Sequence, residues 1–251
     1  MSSPVERFAL SFGNVAEIYD DVRPDYPSEA IERAIEALVL TSEAEVVDLA
    51  AGTGKLTRLL VERFERVVAV EPDERMRAVL AARSPSVDVR AGTGERTTLE
   101  SASADAVFIA DAFHWFAGPA ALEEIARVLR PRGGLVLAWN DWWHMKPVLP
   151  KAAEAVFDDV FRRTGRIDVQ ARLDKWQSAF DGSLFEELSE ERFVWELELP
   201  AERLAALYLT PSSVAALSAE ERDEVREVLE RELTGVHVLP VETGVYWTRR
   251  V

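Results

Sequence analysis

The chain has 251 residues, 48% hydrophobic and 29% charged, with a formal net charge of −16, three histidines and no cysteine. That length holds one sizeable domain, or one domain with an insertion, and the apolar share suffices for an ordinary core. The acid excess argues against a phosphate-rich nucleic-acid substrate, the missing cysteines exclude disulfides and thiolate metal sites, and so few histidines argue against a histidine-rich metal site.

No apolar run reaches membrane-spanning length. Residues 1–10 lack the basic head and apolar stretch of a secretion signal. The expectation is a cytoplasmic protein, monomer or homodimer, without membrane or nucleic-acid partner.

From Phe12 to Pro27, two prolines predict a short helix followed by an extended piece. Ser28 to Val39 reads as a helix with Ile31, Ile35 and Leu38 on one stripe. The apolar run Val46-Val47 ends in Asp48-Leu49, and Ala50-Ala51-Gly52-Thr53-Gly54 opens into a helix from about Thr53 to Phe64. A second apolar run, Val67 to Val70, ends at Glu71, and Pro72-Asp73-Glu74 suits the start of a helix that carries Met76. Ser86 to Ala91 alternates as a third strand, followed by the loop Gly92-Thr93-Gly94-Glu95. Ser103 to Ala110 is a fourth strand, running into Asp111-Ala112-Phe113-His114-Trp115-Phe116. Pro119 to Arg130 is helical, with Leu122, Ile125, Ala126 and Leu129 on one face. Arg130-Pro131-Arg132-Gly133-Gly134 is a sharp stop before the strand Leu135 to Trp139.

The next stretch, with His144, is less readable. Lys151 to Arg163 is a helix expected to bury Ala152, Ala153, Val156, Phe157, Val160 and Phe161. Ala171 to Leu188 reads as irregular, with Leu173, Trp176, Phe180 and Phe185 packing. Tryptophans are poorly tolerated in water, so Trp142, Trp143 and Trp176 either pack or line a pocket. Glu191 to Leu199 and Thr243 to Val251 are the last strands. Two helices are expected between them, the second opened by a Ser218/Glu221 capping box and striped by Val225, Val228, Leu229 and Leu233.

The turn after Asp48 is the chemical focus. Gly52 and Gly54 leave backbone bare for a ligand, and the following helix turns its N-terminal amides to the same place. A phosphate loop would need glycine at position 49 and Ser or Thr at 56, where the chain has Leu49 and Leu56. A dinucleotide turn wants a small third residue and finds Thr57. Asp48 at the mouth would repel a pyrophosphate and attract an ammonium group. Glu71 could take two hydrogen bonds from vicinal ribose hydroxyls, a feature shared with nicotinamide-binding folds.

Asp48-Leu49-Ala50-Ala51-Gly52-Thr53-Gly54 resembles the first motif of class I S-adenosylmethionine-dependent methyltransferases, with Glu71 as their ribose acid. Ala50 departs from it, standing where the pattern has glycine, so a positive φ there would be strained. Leu129-Arg130-Pro131-Arg132-Gly133-Gly134-Leu135 resembles a later motif of the same class. The Phe12…Tyr19-Asp20…Arg23-Pro24…Tyr26-Pro27 segment and Ala112-Phe113-His114-Trp115-Phe116 resemble its small-molecule, trans-aconitate methyltransferase-like group.

The resemblance implies an α/β Rossmann-like fold: a mostly parallel seven-stranded sheet, order 3-2-1-4-5-7-6, flanked by helices. It would form a single domain over residues 1–251, with an N-terminal lid (1–27) and a helical cap inserted near the C-terminus (200–238). It implies S-adenosylmethionine as cofactor, held by Tyr19, Arg23, Asp48, Ala50, Gly52, Thr53, Gly54, Glu71, Pro72, Met76, Thr93, Gly94, Glu95 and Asp111. His114 would be the catalytic residue, as general base or as hydrogen-bond donor. Trp115, Trp142 and Tyr208 would line the substrate pocket. The reaction implied is methyl transfer to oxygen, nitrogen or carbon of a small molecule. The alternatives are a non-catalytic S-adenosylmethionine-binding regulator and an NAD-dependent oxidoreductase.

Overall fold

The computed structural model describes residues 8–143, 149–164 and 175–251; His144 and Leu173 lie outside them. After a 3-10 turn at Ser11–Val15 the elements are α1 (Ala16–Val22), α2 (Ser28–Ala37), β1 (Glu45–Leu49), α3 (Lys55–Val61), β2 (Arg66–Val70), α4 (Glu74–Arg83), β3 (Asp88–Arg90) and β4 (Ala104–Ala110). A 3-10 turn at Phe113–Trp115 leads to α5 (Pro119–Val128), β5 (Leu129–Asp141), α6 (Lys151–Thr164) and a further 3-10 turn at Trp176–Phe180. Then come β6 (Ser189–Pro200), α7 (Ala201–Tyr208), α8 (Ser212–Ala215), α9 (Ala219–Glu232) and β7 (Val236–Arg249). The seven strands form one sheet in the order β3-β2-β1-β4-β5-β7-β6. Pairs β2–β3, β1–β2, β1–β4 and β4–β5 are parallel.

The chain divides into two compact units. One comprises Asp25–Asn140, Gln170–Phe193 and Thr243–Val251. The central strands β1, β4 and β5 are apolar on both faces, as a parallel sheet between helices requires. Val47, Leu49, Val107, Ile109, Leu135 and Leu137 share a core with Leu122, Ile125 and Ala126 of α5. The alternate residues Val46, Ala106, Phe108, Val136 and Ala138 pack with Ile31, Ala34, Ile35, Leu56 and Leu60 of α2 and α3.

The backbone departs from the expectation at β7, which begins at Val236 and not at Thr243, and at β5. The Arg130–Gly134 stretch does end α5, but the chain enters β5 directly at Leu129, six residues before the predicted start. Leu129 pairs with Ala104 and Gly134 with Ala106, so a bulge takes up the extra residues, with Arg132 at a φ of +62°. Arg130 binds Asp105 at 2.7 Å and also Glu45, which fastens the bulge to β1 and β4.

The other unit comprises Met1–Pro24, Asp141–Val169 and Val194–Glu242, so most of the expected lid and all of the expected cap fall in it. Its core gathers Trp142, Phe157, Val160, Leu204, Tyr208, Val225 and Leu229. Three helices, α7, α8 and α9, stand where two were expected. The capping box at Ser218 and Glu221 is formed in both directions. Ala152, expected inside, is exposed. Side chains tie the N-terminal segment to α8: Ser11 donates to the Ser212 carbonyl and Asn14 to the Ala215 carbonyl. Among the described residues no helix is long and apolar enough to cross a membrane, and no group of three or more acids or histidines could hold a metal ion.

Candidate active site

The sheet unit builds its site at the carboxyl ends of β1, β2 and β4, where open α/β sheets take their ligands. The chain leaves β1 through a turn with three positive φ angles, +57° at Ala50, +57° at Gly52 and +86° at Gly54. The predicted strain at Ala50 is therefore present. Ala51 N–H donates to the Val70 carbonyl at 3.1 Å, Gly52 N–H to Glu71 Oε2 at 2.9 Å, and Gly54 N–H to the Ala51 carbonyl at 2.9 Å. The first two bonds lash the turn to the end of β2, and the third closes it on itself.

The two glycines serve different purposes. A Cβ on Gly54 would lie 2.9 Å from Leu80 Cγ, so its bareness is a packing need. A Cβ on Gly52 would meet nothing within 4 Å, so its bareness faces open space. Lys55, which follows Gly54 as the lysine of a phosphate loop follows its glycine, has its amine 2.7 Å from Asp25 Oδ1. That partner leaves it a structural cation.

Asp48 is 1% exposed, lying beneath the turn and not at its mouth. The hydroxyl of Thr57 donates to its Oδ2 at 2.5 Å, while Oδ1 has no partner. Thr53 Oγ1, in the same turn, is likewise buried and unpartnered. Buried polar atoms are almost always satisfied, so these two neighbouring atoms call for a polar partner, an ordered water or a ligand group. Glu71 accepts the amides of Gly52 and Asp73, each at 2.9 Å, one on each oxygen. Each oxygen keeps a second lone pair for a hydroxyl donor. Burial pushes both carboxyls up to about 7, Asp48 being raised further by the neighbouring Glu71 charge. A cation placed here would favour their ionised forms.

Around this pair, Asp73 caps α4 by accepting from the amides of Arg75 and Met76, and Pro72 lies just before it. Met76 is buried on α4. Thr93 and Glu95 are exposed, and Thr93 pairs across its loop with Arg96. Gly94 packs so closely on Phe116 that a Cβ would come within 2.3 Å of the ring.

After β4, Asp111 has a φ of +51° and accepts the Tyr26 hydroxyl at 2.8 Å and the Asn140 amide at 3.1 Å. His114 is buried, its ring 4.9 Å from that of the half-buried Trp115. The indole N–H of Trp139 donates to His114 Nδ1 at 3.2 Å.

The remaining predicted residues, Tyr19, Arg23, Trp142 and Tyr208, belong to the other unit and meet there. The Arg23 guanidinium lies 4.9 Å from the ring centres of both Tyr19 and Trp142, and its Nε donates to Thr210 Oγ1 at 2.7 Å. Trp142 and Tyr208 contact edge to face, with ring centres 6.1 Å apart. Both were expected to line a pocket, yet both are core residues, and Tyr208 is fully buried with its hydroxyl unpartnered.

Sequence reasoning missed Thr57, Trp139, Tyr26, Asn140 and Thr210. Thr57 could have been found: a hydroxyl one turn into the helix that follows a buried acid is a natural donor to it. Trp139 and Thr210 lie far along the chain from the residues they hold, and no spacing announces them.

Residues 47–137 match the family model described as a methyltransferase domain. An uncharacterized methyltransferase of Mycobacterium bovis is 47% identical over 132 residues, covering 53% of each chain. The match thus spans about half the length of that relative. An uncharacterized methyltransferase of Schizosaccharomyces pombe is 32% identical over 213 residues, which cover 84% of this chain and 82% of the relative. Among solved structures, a type II methyltransferase candidate from Anaeromyxobacter dehalogenans superposes with a TM-score of 0.60 at 24% identity, over 91% of this chain and 97% of that one. The chain belongs to the class I S-adenosylmethionine-dependent methyltransferases. Its sheet order is the one the resemblance implied, and membership sets the oxidoreductase alternative aside.

Proposed function

We propose that this chain holds S-adenosylmethionine at the turn after β1 and transfers its methyl group to a small-molecule acceptor. The observation that carries the reading is the unpartnered Oδ1 of buried Asp48, beside the unpartnered hydroxyl of Thr53 and the open space at Gly52. Asp48 would hold the ammonium group, and Glu71, with a lone pair left on each oxygen, the ribose hydroxyls. Thr93, Gly94 and Glu95, in the loop after β3, would flank the adenine. When bound, the cofactor supplies an electrophilic methyl on a sulfonium. The chain's part is to hold donor and acceptor in line in a dry site, which by itself provides much of the acceleration. The net charge of −16 supports a small acceptor over a nucleic acid.

The test is transfer of labelled methyl from S-adenosylmethionine to a panel of small acids, phenols and amines. Glu71→Ala should weaken cofactor binding, while His114→Ala should leave binding largely intact and lower turnover. A panel without labelled product, from protein that binds the cofactor, would favour a regulatory binder. If both variants turn over like the parent, the site assignment is wrong.

A further inference from the structure

His114 was expected to act either as a base or as a donor, and its surroundings decide between the two. A neutral imidazole has one N–H and one basic lone pair, and the partner of one nitrogen fixes the state of the other. Here Nδ1 faces the indole N–H of Trp139 at 3.2 Å. An indole N–H can only donate, so Nδ1 is the acceptor and the neutral ring carries its proton on Nε2.

The indole is itself immobilised. Trp139 stacks on Trp176 with ring centres 4.6 Å apart and planes at 30°, and meets Tyr246 edge to face at 5.7 Å. Trp176 in turn touches Phe113, Phe180 and Tyr246. Turning the indole away from His114 would break this pile of aromatic contacts. Asp111, the one acid of the loop that carries His114, accepts from the Tyr26 hydroxyl and the Asn140 backbone N–H, one on each oxygen.

We propose that Trp139 is a positioning residue that holds His114 in the Nε2–H form, so that this imidazole is not the general base of the methyl transfer. Any contact His114 makes with the acceptor is then donation from Nε2. An acceptor whose lone pair is already available at neutral pH, an unprotonated amine or a carboxylate, needs no proton taken by His114, whereas an aliphatic alcohol would need another base. The inference rests on the methyl-transfer reading above, and it adds the state of the imidazole and what that state asks of the nucleophile.

The direct test is long-range proton–nitrogen NMR of the full chain with 15N-labelled histidine, at alkaline pH and with S-adenosylhomocysteine present. Three histidines give three ring patterns, and loss of one in His114→Gln assigns it. The expected pattern has the proton on Nε2; a proton on Nδ1, or an even mixture, overturns the proposal. In Trp139→Phe the His114 pattern should move toward a mixture while calorimetry still detects S-adenosylhomocysteine; an unchanged pattern overturns the role of Trp139. The parent spectrum decides the tautomer even if that variant fails to fold.

With an acceptor from the panel, His114→Gln, which keeps a donor near Nε2, should recover at least about tenfold of the turnover lost in His114→Ala. A true base would cost about 10²–10⁴-fold in both variants, and equal losses overturn the proposal. A parent protein that binds no S-adenosylhomocysteine would defeat the functional reading, while the NMR pattern would still report the tautomer.

Discussion

The hydroxyl of Thr57 donates to Asp48 Oδ2 at 2.5 Å, and the carboxyl's other oxygen, Oδ1, is left without a partner. One residue of α3 thus orients the acid beneath the glycine turn. Thr57→Val keeps the shape and removes the donor. Leaving a buried acceptor short of a bond costs about 1–3 kcal/mol, so the melting temperature should fall by several degrees. An unchanged melting temperature would mean that the bond contributes nothing.

The raised Asp48 carboxyl has a signed consequence for stability. Its ordinary range is near 3.8 and burial holds it at about 7 in the folded chain. A pKa raised by folding favours the folded state at low pH, and that contribution is lost as pH rises through the folded value. Asp48→Asn removes the titration. The stability of Asp48→Asn relative to the parent should therefore improve between about pH 5 and about pH 8, as followed by thermal melts. A pH-independent difference would contradict the assigned cause.

Ala50 sits at a φ of +57°. A left-handed conformation costs an L-residue roughly 1–2 kcal/mol, and glycine's extra chain entropy takes back roughly 0.5–1 kcal/mol. Ala50→Gly should thus raise stability slightly, by about 0.5–1 kcal/mol in denaturant titrations. A loss of stability would show that the alanine methyl makes contacts that outweigh the strain.

Gly52 and Gly54 should part company when each is changed to alanine. At Gly54 the new Cβ runs into Leu80, so the fold is the casualty and the melting temperature drops sharply. At Gly52 the Cβ enters open space, so the cost to the fold is the backbone strain alone and the larger loss is in S-adenosylhomocysteine affinity. Equal affinity in Gly52→Ala and parent would place the ligand elsewhere.

Much of this arrangement was legible in the chain. Val46-Val47 and Val67 to Val70, each closing on an acid, gave strands whose ends could be named to within a residue or two, because their faces are buried on both sides. The helix after Gly54 was equally plain, although it ends at Val61 and not at Phe64. The bulge in β5 was not, because Pro131, Gly133 and Gly134 look like chain breakers, whereas here Arg130 fixes them to Glu45 and Asp105. At the site, Asp48, Gly52 and Glu71 were readable from local pattern. The depth of Asp48, the Trp139 bond to His114 and the burial of Trp142 and Tyr208 were not, since each depends on elements distant in sequence.

The central claim is that two buried carboxyls beneath a glycine turn hold a cationic, phosphate-free nucleoside. Isothermal titration calorimetry with S-adenosylhomocysteine and, separately, NADH tests it most directly. The account predicts saturable heat from S-adenosylhomocysteine, weakened at least about tenfold in Asp48→Asn and in Glu71→Gln, as loss of a charge-assisted hydrogen bond implies, and none from NADH. Heat from NADH alone, or an S-adenosylhomocysteine affinity indifferent to both substitutions, would contradict it.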